Sequence, residues 1–273
     1  MISYNGISEK LMLSTVKINT INGSGTGFFF NFKLDDDKEV PILLTNKHVV
    51  NHNTKEEIQI SFHIWADGKV SEENLLLDLE LDWVFHEEYD LCFAFVAPIL
   101  NFIKKSYQKE VAISYIEEEL IKENLSNLQA LEEVTMIGYP IGLHDEINNL
   151  PIFRKGYTAS HPALSFNKKG IALVDMACFP GSSGSPIFIL NEGSYRDSKG
   201  IVIGNRLIFL GILFAGPTYN AIGEIIEKEV DIKSNSISSV NIMINLGYYI
   251  QAKAILDFKD IIREIVNKSK ENQ

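Results

Sequence analysis

The chain has 273 residues, of which 45% are hydrophobic and 22% are charged, as is usual for a globular protein with a sizeable core. Its formal net charge is -11, from 25 basic and 36 acidic side chains. A nucleic-acid-binding surface needs clustered basic residues to replace the counterions on phosphates, and no Lys/Arg cluster stands out. The composition therefore argues against a nucleic-acid partner.

Residues 1–10 lack the charged-then-apolar pattern of a signal peptide. The most apolar window, 207–216, is about half the ~20 residues that a membrane-spanning helix needs. The two cysteines, Cys92 and Cys178, lie in apolar stretches. Buried free thiols are the better interpretation, with a single bridge between them as the open alternative. We therefore expect a soluble, cytoplasmic protein that does not interact with a membrane.

Alternation of apolar and polar residues is the dominant pattern, and it predicts strands with one buried face. It is weak at 28–32 and strong at 58–64 and 77–83. Many short strands separated by Gly, Asn and Asp turns are typical of closed or packed antiparallel sheets. Further strands are predicted at 40–45, 91–96, 134–139, 171–177, 185–190, 207–214 and 240–246.

Two segments are predicted to be helical. The segment 106–131 is rich in Glu, Lys, Leu and Ile, and we expect it to connect two β units. Near the end of the chain, Ile255, Phe258, Ile262 and Ile265 recur at helical spacing, and we expect this stripe to pack against the second β unit. The prediction is one module over 1–273, with a first lobe at about 1–105, a connector at about 106–130, a second lobe at about 131–250 and a C-terminal helix at about 251–268.

The strongest local motif is Phe-Pro-Gly-Ser-Ser-Gly-Ser-Pro at 179–186. Glycines on both sides of Ser183 allow a tight turn that presents its hydroxyl. Such a turn can also direct the backbone amides of Gly181 and Ser183 at one point, as a developing oxyanion requires. The plain alternative is a Gly/Ser surface turn. The segment is not a Gly-x-Ser-x-Gly elbow, because Ser185 stands where that motif has glycine.

A serine nucleophile needs a neighbouring base, and the base needs an orienting carboxylate. Among the six histidines, His48 stands out because it follows the apolar run 41–44 at the end of a predicted strand. Asp90 directly precedes the predicted strand at 91–96. Each residue alone is more often structural. The chain order His, Asp, Ser discriminates between unrelated serine-hydrolase folds and supports a catalytic interpretation.

These segments resemble the trypsin/chymotrypsin superfamily, particularly bacterial disulfide-poor members such as the Deg-type heat-shock proteases. The similarity runs from about residue 12 to residue 250. It is carried by Gly-Ser-Gly-Thr-Gly-Phe at 23–28, Leu-Thr-Asn-Lys-His-Val-Val at 44–50, Asp-Leu-Cys-Phe at 90–93, Gly-Tyr-Pro-Ile-Gly at 138–142, Arg-Lys-Gly-Tyr-Thr-Ala at 154–159, the serine segment at 175–186 and Gly-Ile-Leu-Phe-Ala-Gly at 211–216.

The resemblance implies an all-β fold of two antiparallel β-barrel lobes, with a helical interlobe connection and a C-terminal helix. It implies a serine endopeptidase that works through His48, Asp90 and Ser183 by way of an acyl-enzyme intermediate. The amides of Gly181 and Ser183 would form the oxyanion hole. No metal or organic cofactor is expected, and the substrate is expected to be a protein or peptide.

By the same resemblance, Ala177 lies at the base of the primary specificity pocket. The residues Phe214, Ala215 and Gly216 belong to the strand against which the substrate pairs. Alanine rather than an acid at position 177 predicts a small or apolar residue before the cleaved bond.

The sequence departs from the family pattern at several points. Ser182 stands where secreted trypsins carry an aspartate that pairs with a newly cut N-terminus, so activation by that route is not expected. Ser185 replaces a more usual glycine. No PDZ domain is recognised, so Deg-type regulation is not expected. The pair His48 and His52, and the run 86–90, are poor zinc motifs, and no metal site is expected.

Three alternatives stay open. A non-catalytic trypsin-like module would act by protein binding, but all three candidate catalytic residues are present. A latent enzyme would be switched on when an activating protein partner orders the oxyanion loop. An esterase for small acyl substrates would use the same three residues.

Overall fold

The computed structural model describes residues 4–34, 38–197, 200–224 and 237–271. Its strands form one sheet in each lobe and two small ribbons. Within the described residues, the first sheet has the strands β1 (Thr15–Thr20), β2 (Gly23–Lys33), β3 (Glu39–Thr45), β4 (Lys55–Ala66), β5 (Lys69–Asp82), β6 (Val84–Phe85), β7 (Cys92–Phe95), β8 (Glu110–Val111) and β9 (Ile116–Glu117).

The first sheet follows the order β5-β4-β1-β2-β3-β7-β6, with β8 paired to β4 and β9 to β2. The alternation in β4 is confirmed, because Ile58, Ile60 and Phe62 are buried while their neighbours are more exposed. Strands β4 and β5 are joined by Asp67 and Gly68, whose φ angles are 52° and 73°. Two left-handed residues of this type form the tight turn that matches the twist of paired strands.

Within the described residues, the other strands are β10 (Glu133–Gly138), β11 (Ile152–Thr158), β12 (Ile171–Asp175), β13 (Pro186–Asn191), β14 (Ser194–Asp197), β15 (Gly200–Ile203), β16 (Arg206–Ala215), β17 (Thr218–Glu224), β18 (Ile237–Met243) and β19 (Leu246–Gln251). The second sheet closes into a barrel in the order β10-β11-β12-β19-β16-β13, while β14-β15 and β17-β18 form separate ribbons. The single strand predicted at 240–246 is wrong. One strand ends at Met243 and the next begins at Leu246, because Asn245 between them turns the chain with a φ of 59°.

The helices are α1 (Ile7–Leu13), α2 (Val96–Tyr107) and α3 (Phe258–Glu271). No helix among the described residues is long and apolar enough to cross a membrane.

The helix predicted at 106–131 is wrong. Helix α2 lies earlier, and it ends where Gln108 adopts a φ of 53°. The segment after it contains β8, β9 and a short 3-10 turn at Glu118–Leu120. Pairing with the first sheet overrides the helical propensity of this segment, since Ile116 lies beside Phe30 in a parallel pair and is fully buried.

The predicted C-terminal helix is confirmed, but its packing differs from the expectation. Ile255, Phe258 and Ile262 are fully buried in a hydrophobic cluster to which both lobes contribute. The ring of Phe258 meets the ring of Phe93, in the first lobe, edge to face at 4.9 Å between centroids. The C-terminal segment therefore packs against the first lobe as well as the second.

We predict that Phe258→Ala destabilises the fold by about 3–5 kcal/mol, because it removes a fully buried ring from the cluster shared by the lobes. The matched control is Phe102→Ala in α2, whose side chain is 47% exposed and which should change the free energy of unfolding by about 1 kcal/mol or less. Chemical denaturation of both variants measures the difference. Equal losses in the two variants would contradict the packing described for Phe258.

Candidate active site

His48 and Asp90 are brought together by two neighbouring strands. His48 lies in the 3-10 turn that follows β3, and Asp90 ends the loop before β7. Strands β3 and β7 pair with Thr45 opposite Cys92, so the two segments meet at one edge. The Nδ1 atom of His48 lies 2.5 Å from Oδ2 of Asp90, and the backbone N–H of His48 donates to Oδ1 at 3.2 Å.

The carboxylate of Asp90 is held ionised. Burial raises the pKa of Asp90, but the hydrogen bond and charge of His48 act more strongly in the other direction, so the pKa lies below its ordinary value. The ionised carboxylate accepts a hydrogen bond from Nδ1–H of His48. This arrangement leaves Nε2 as the basic nitrogen of the imidazole.

The serine segment forms a compact loop between β12 and β13. The backbone N–H of Ser182 donates to the carbonyl of Phe179 at 3.0 Å, and that of Ser185 donates to the carbonyl of Ser182 at 3.1 Å. Gly181 and Gly184 have φ angles of 85° and 86°, a region that favours glycine. The expectation of a tight glycine-dependent turn around Ser183 is therefore confirmed.

This loop docks on Thr26 of β2. The backbone N–H of Thr26 donates to the carbonyl of Ser183 at 2.8 Å, and its hydroxyl donates to the carbonyl of Gly181 at 3.0 Å. The approach is so close that a Cβ on Gly184 would lie 1.8 Å from the carbonyl oxygen of Thr26. Next to Thr26, a Cβ on Gly25 would lie 2.5 Å from a methyl carbon of Val49, the residue after His48. The serine loop and the His48 turn therefore flank the same stretch of β2.

The hydrogen bonding of the predicted oxyanion amides and of the Ser183 hydroxyl bears directly on the predicted site. Within the described residues, the backbone N–H groups of Gly181 and Ser183 donate to no protein acceptor. Within the same residues, no hydrogen bond joins the Ser183 hydroxyl to the His48 ring.

Gly216, at the end of the predicted substrate strand, lies close to Cys178, the residue after Ala177. A Cβ on Gly216 would lie 3.7 Å from the carbonyl oxygen of Cys178, which follows Ala177, and 2.7 Å from Cε of Met243. This juxtaposition places the end of β16 against the segment before the serine loop. The side chains at 177, 178 and 215 are uncharged, and burial raises the pKa of the Cys178 thiol to about 11.

An open cavity of about 660 Å³ lies between the Asp90 loop and the second lobe. The ring of Tyr248 stands 6.4 Å from that of Phe214 and 6.5 Å from that of Phe166, measured between centroids. The cavity lining includes the aromatic residues Tyr89, Phe166, Phe214 and Tyr248 and the charged residues Glu88, Lys168 and Lys169.

Cys92 and Cys178 are both free and buried. Among the described residues, no group of three or more His, Cys, Asp or Glu side chains is placed to hold a metal ion.

Sequence reasoning missed two residues that hold the site. Thr26 was noticed only as part of a glycine-rich segment, and its contact with Gly181 spans 155 positions. The side-chain N–H of Asn46 donates to the backbone carbonyl of Asp90 at 2.7 Å, from a fully buried position. The only sequence signal for a role of Asn46 in the site was its position two residues before His48.

A family model described as a trypsin-like peptidase domain matches residues 25–195, more than half of the chain. The chain belongs to this trypsin-like peptidase family. The resemblance to trypsin-like serine proteases is thereby confirmed. No curated protein sequence matches this peptidase.

Several solved structures align with most of this peptidase at low identity. The Rv3671c protease of M. tuberculosis H37Rv, in its inactive form, is 14% identical with a TM-score of 0.42, covering 93% of this chain and 90% of that one. The scabies mite inactivated protease paralogue S-I1 is 12% identical with a TM-score of 0.45, covering 95% and 97%. A thermostable serine protease, AL20, from an extremophilic microorganism is 12% identical with a TM-score of 0.42, covering 88% and 91%.

We predict that Gly184→Ala destabilises the peptidase more than Gly193→Ala does. Both glycines have similar positive φ angles, 86° and 84°, but a Cβ on Gly193 would meet nothing within 4 Å. The control should lose about 1–2 kcal/mol from backbone strain, and Gly184→Ala about 1–3 kcal/mol more from the overlap with Thr26. Denaturant unfolding of the two variants measures the difference, and equal stabilities would refute the close docking of this loop.

Proposed function

We propose that the protein is a serine endopeptidase in which Ser183 is the nucleophile, His48 the general base and Asp90 the orienting carboxylate. The observation that carries the proposal is the 2.5 Å contact between His48 Nδ1 and Asp90 Oδ2. It is supported by the serine loop, which docks beside the His48 turn through Thr26. Membership in the trypsin-like peptidase family agrees with this assignment.

The proposed reaction proceeds in two halves. The Oγ atom of Ser183 attacks the peptide carbonyl carbon while Nε2 of His48 accepts its proton, and the amides of Gly181 and Ser183 donate to the oxyanion. The carbon–nitrogen bond breaks as His48 returns the proton to the leaving amine, which leaves an acyl group on Ser183. Water, deprotonated by His48, then attacks the acyl carbon. The bond between that carbon and Ser183 Oγ breaks as His48 returns the proton to Oγ, which releases the acid and restores the serine. Asp90 remains ionised throughout, and the steps use only side chains and backbone amides.

The proposed substrate is an extended peptide rather than a small ester. The cavity beside Tyr89 and Phe214 is larger than one acyl group needs, and it adjoins the predicted substrate strand at 214–216. We therefore propose that the substrate is a protein or peptide and that the reaction needs no cofactor. The two free thiols support its location in a reducing compartment such as the cytoplasm.

The first test is labelling with a fluorophosphonate, which reacts covalently with an activated serine. Wild-type protein should be labelled, and Ser183→Ala and His48→Ala should each lower the rate by about 10⁴-fold or to background. The control Ser71→Ala removes a hydroxyl from strand β5 of the first lobe, where it accepts the backbone N–H of Glu73, and should label as wild type does. Wild-type labelling that survives Ser183→Ala would exclude Ser183 as the nucleophile.

The same assay distinguishes a latent enzyme, which needs an activating partner, from a constitutively active one. If purified protein is not labelled but cell lysate restores labelling at Ser183, an activating partner is required. If neither condition labels the protein, the catalytic proposal is wrong and a binding role replaces it.

We predict cleavage after small or apolar residues, because Ala177 and its neighbours present no negative charge to a basic side chain. In a matched peptide panel, kcat/KM should be about 10-fold or more higher for Ala, Val or Leu than for Lys or Arg before the cleaved bond. The variant Ala177→Asp should raise cleavage after Lys or Arg, because it adds the missing charge. Cleavage by the wild type only after Lys or Arg would overturn the prediction.

A further inference from the structure

His86 begins the loop that carries Asp90, and its backbone closes that loop. Strands β6 and β7 pair with Phe85 opposite Cys92, and the backbone N–H of His86 donates to the carbonyl of Leu91 at 2.9 Å. Asp90 therefore lies in a short loop whose two ends are fastened together. The chain within the loop still needs its own contacts to hold one conformation.

The side chain of His86 supplies those contacts from inside the loop. Its Nδ1 atom accepts the backbone N–H groups of Glu88 and Tyr89, each at 3.1 Å. A ring nitrogen that accepts two hydrogen bonds carries no proton, so the proton of the neutral ring is on Nε2. The residue is only 6% exposed, which makes these bonds costly to lose.

The other side of the His86 ring is held by the C-terminal segment. Nε2 donates to Oδ2 of Asp257 at 3.2 Å, and the ring of Phe258 meets the His86 ring edge to face at 5.2 Å between centroids. Tyr89 packs on the same imidazole at 4.9 Å. One buried side chain therefore joins the Asp90 loop to the start of α3.

We propose that His86 is a positioning residue for the active site. It fixes the 86–91 loop in the conformation that holds the Asp90 carboxylate against His48, and Asp257 and Phe258 hold His86 in turn. This inference rests on the proposed function, because it assigns His86 a role in the same catalytic site. It also gives the C-terminal segment a part in ordering a catalytic residue of the first lobe.

The test separates the two hydrogen bonds accepted by Nδ1 of His86 from the one donated by Nε2. His86→Leu removes all three hydrogen bonds. His86→Asn places an amide oxygen near the position of Nδ1 and so keeps an acceptor for the loop amides, whereas His86→Gln can reach Asp257 but offers no such acceptor. The matched control is His161→Leu, because Nδ1 of His161 also accepts a nearby amide, that of Ala163 at 3.2 Å, in a loop of the second lobe.

Fluorophosphonate labelling is measured on the folded full-length variants over a range of probe concentrations. In His86→Leu, the rate at saturating probe should fall by about 10- to 100-fold while the half-saturating concentration stays unchanged, because the base is misplaced but the pocket is intact. His86→Asn should recover much of that rate, His86→Gln should not, and His161→Leu should match the wild type. A folded His86→Leu that labels at the wild-type rate would refute the proposal, as would His86→Asn being no better than His86→Gln.

A second readout does not depend on catalysis. The Nδ1 proton of His48, which is hydrogen-bonded to the Asp90 carboxylate, should give a low-field proton resonance, since a charged acceptor deshields the proton. The resonance should be lost in His86→Leu and kept in His86→Asn and His161→Leu. If the wild type is never labelled, the proposed function fails, and this resonance alone decides the role of His86. If His86→Leu does not fold, the comparison of His86→Asn with His86→Gln decides it.

Discussion

Thr26 is the residue on which the arrangement of the site depends, because its polar groups join the two lobes. Its N–H and hydroxyl donate to the carbonyls of Ser183 and Gly181 in the second lobe. Its carbonyl accepts the hydroxyl of Thr45, three residues before His48. The residue is fully buried, and buried polar groups are costly without partners. These groups are satisfied only when the lobes dock in this relative position. The same position brings the serine loop beside the His48 turn.

Apolar packing stabilises the same relative position of the lobes. Phe28 in β2 meets Phe209 of the second lobe edge to face at 5.6 Å between centroids, while Phe29, on the other face of the strand, belongs to the core of the first lobe. Strand β2 therefore contributes one face to the cluster shared by the lobes and the other face to the core of the first lobe. The C-terminal segment completes the shared core with Phe258, and Lys259 at its start pairs with Glu118 of the connector at 2.6 Å.

Sequence reasoning predicted the elements that depend on local pattern. The alternation in β4 and β5 matches their burial, and the stripe containing Ile255, Phe258 and Ile262 is a buried helical face. It failed where tertiary pairing decided the outcome. Residues 106–131 have helical composition, yet Ile116 pairs with β2 and the chain there is not a continuous helix. The turn at Asn245 divides an apolar run into two strands with different partners.

The sequence by itself determined the family of the chain and the three segments that carry His48, Asp90 and Ser183. These segments could be recognised because glycines at left-handed positions and strand ends leave local patterns in a sequence. Only the tertiary structure decided that Thr26 joins the lobes, that Asn46 holds the Asp90 backbone and that His86 links the Asp90 loop to α3. These contacts join residues 44 to 171 positions apart, and they depend on how the lobes and the C-terminal segment pack. Local periodicity does not encode which distant polar atoms meet, so no motif could have predicted them.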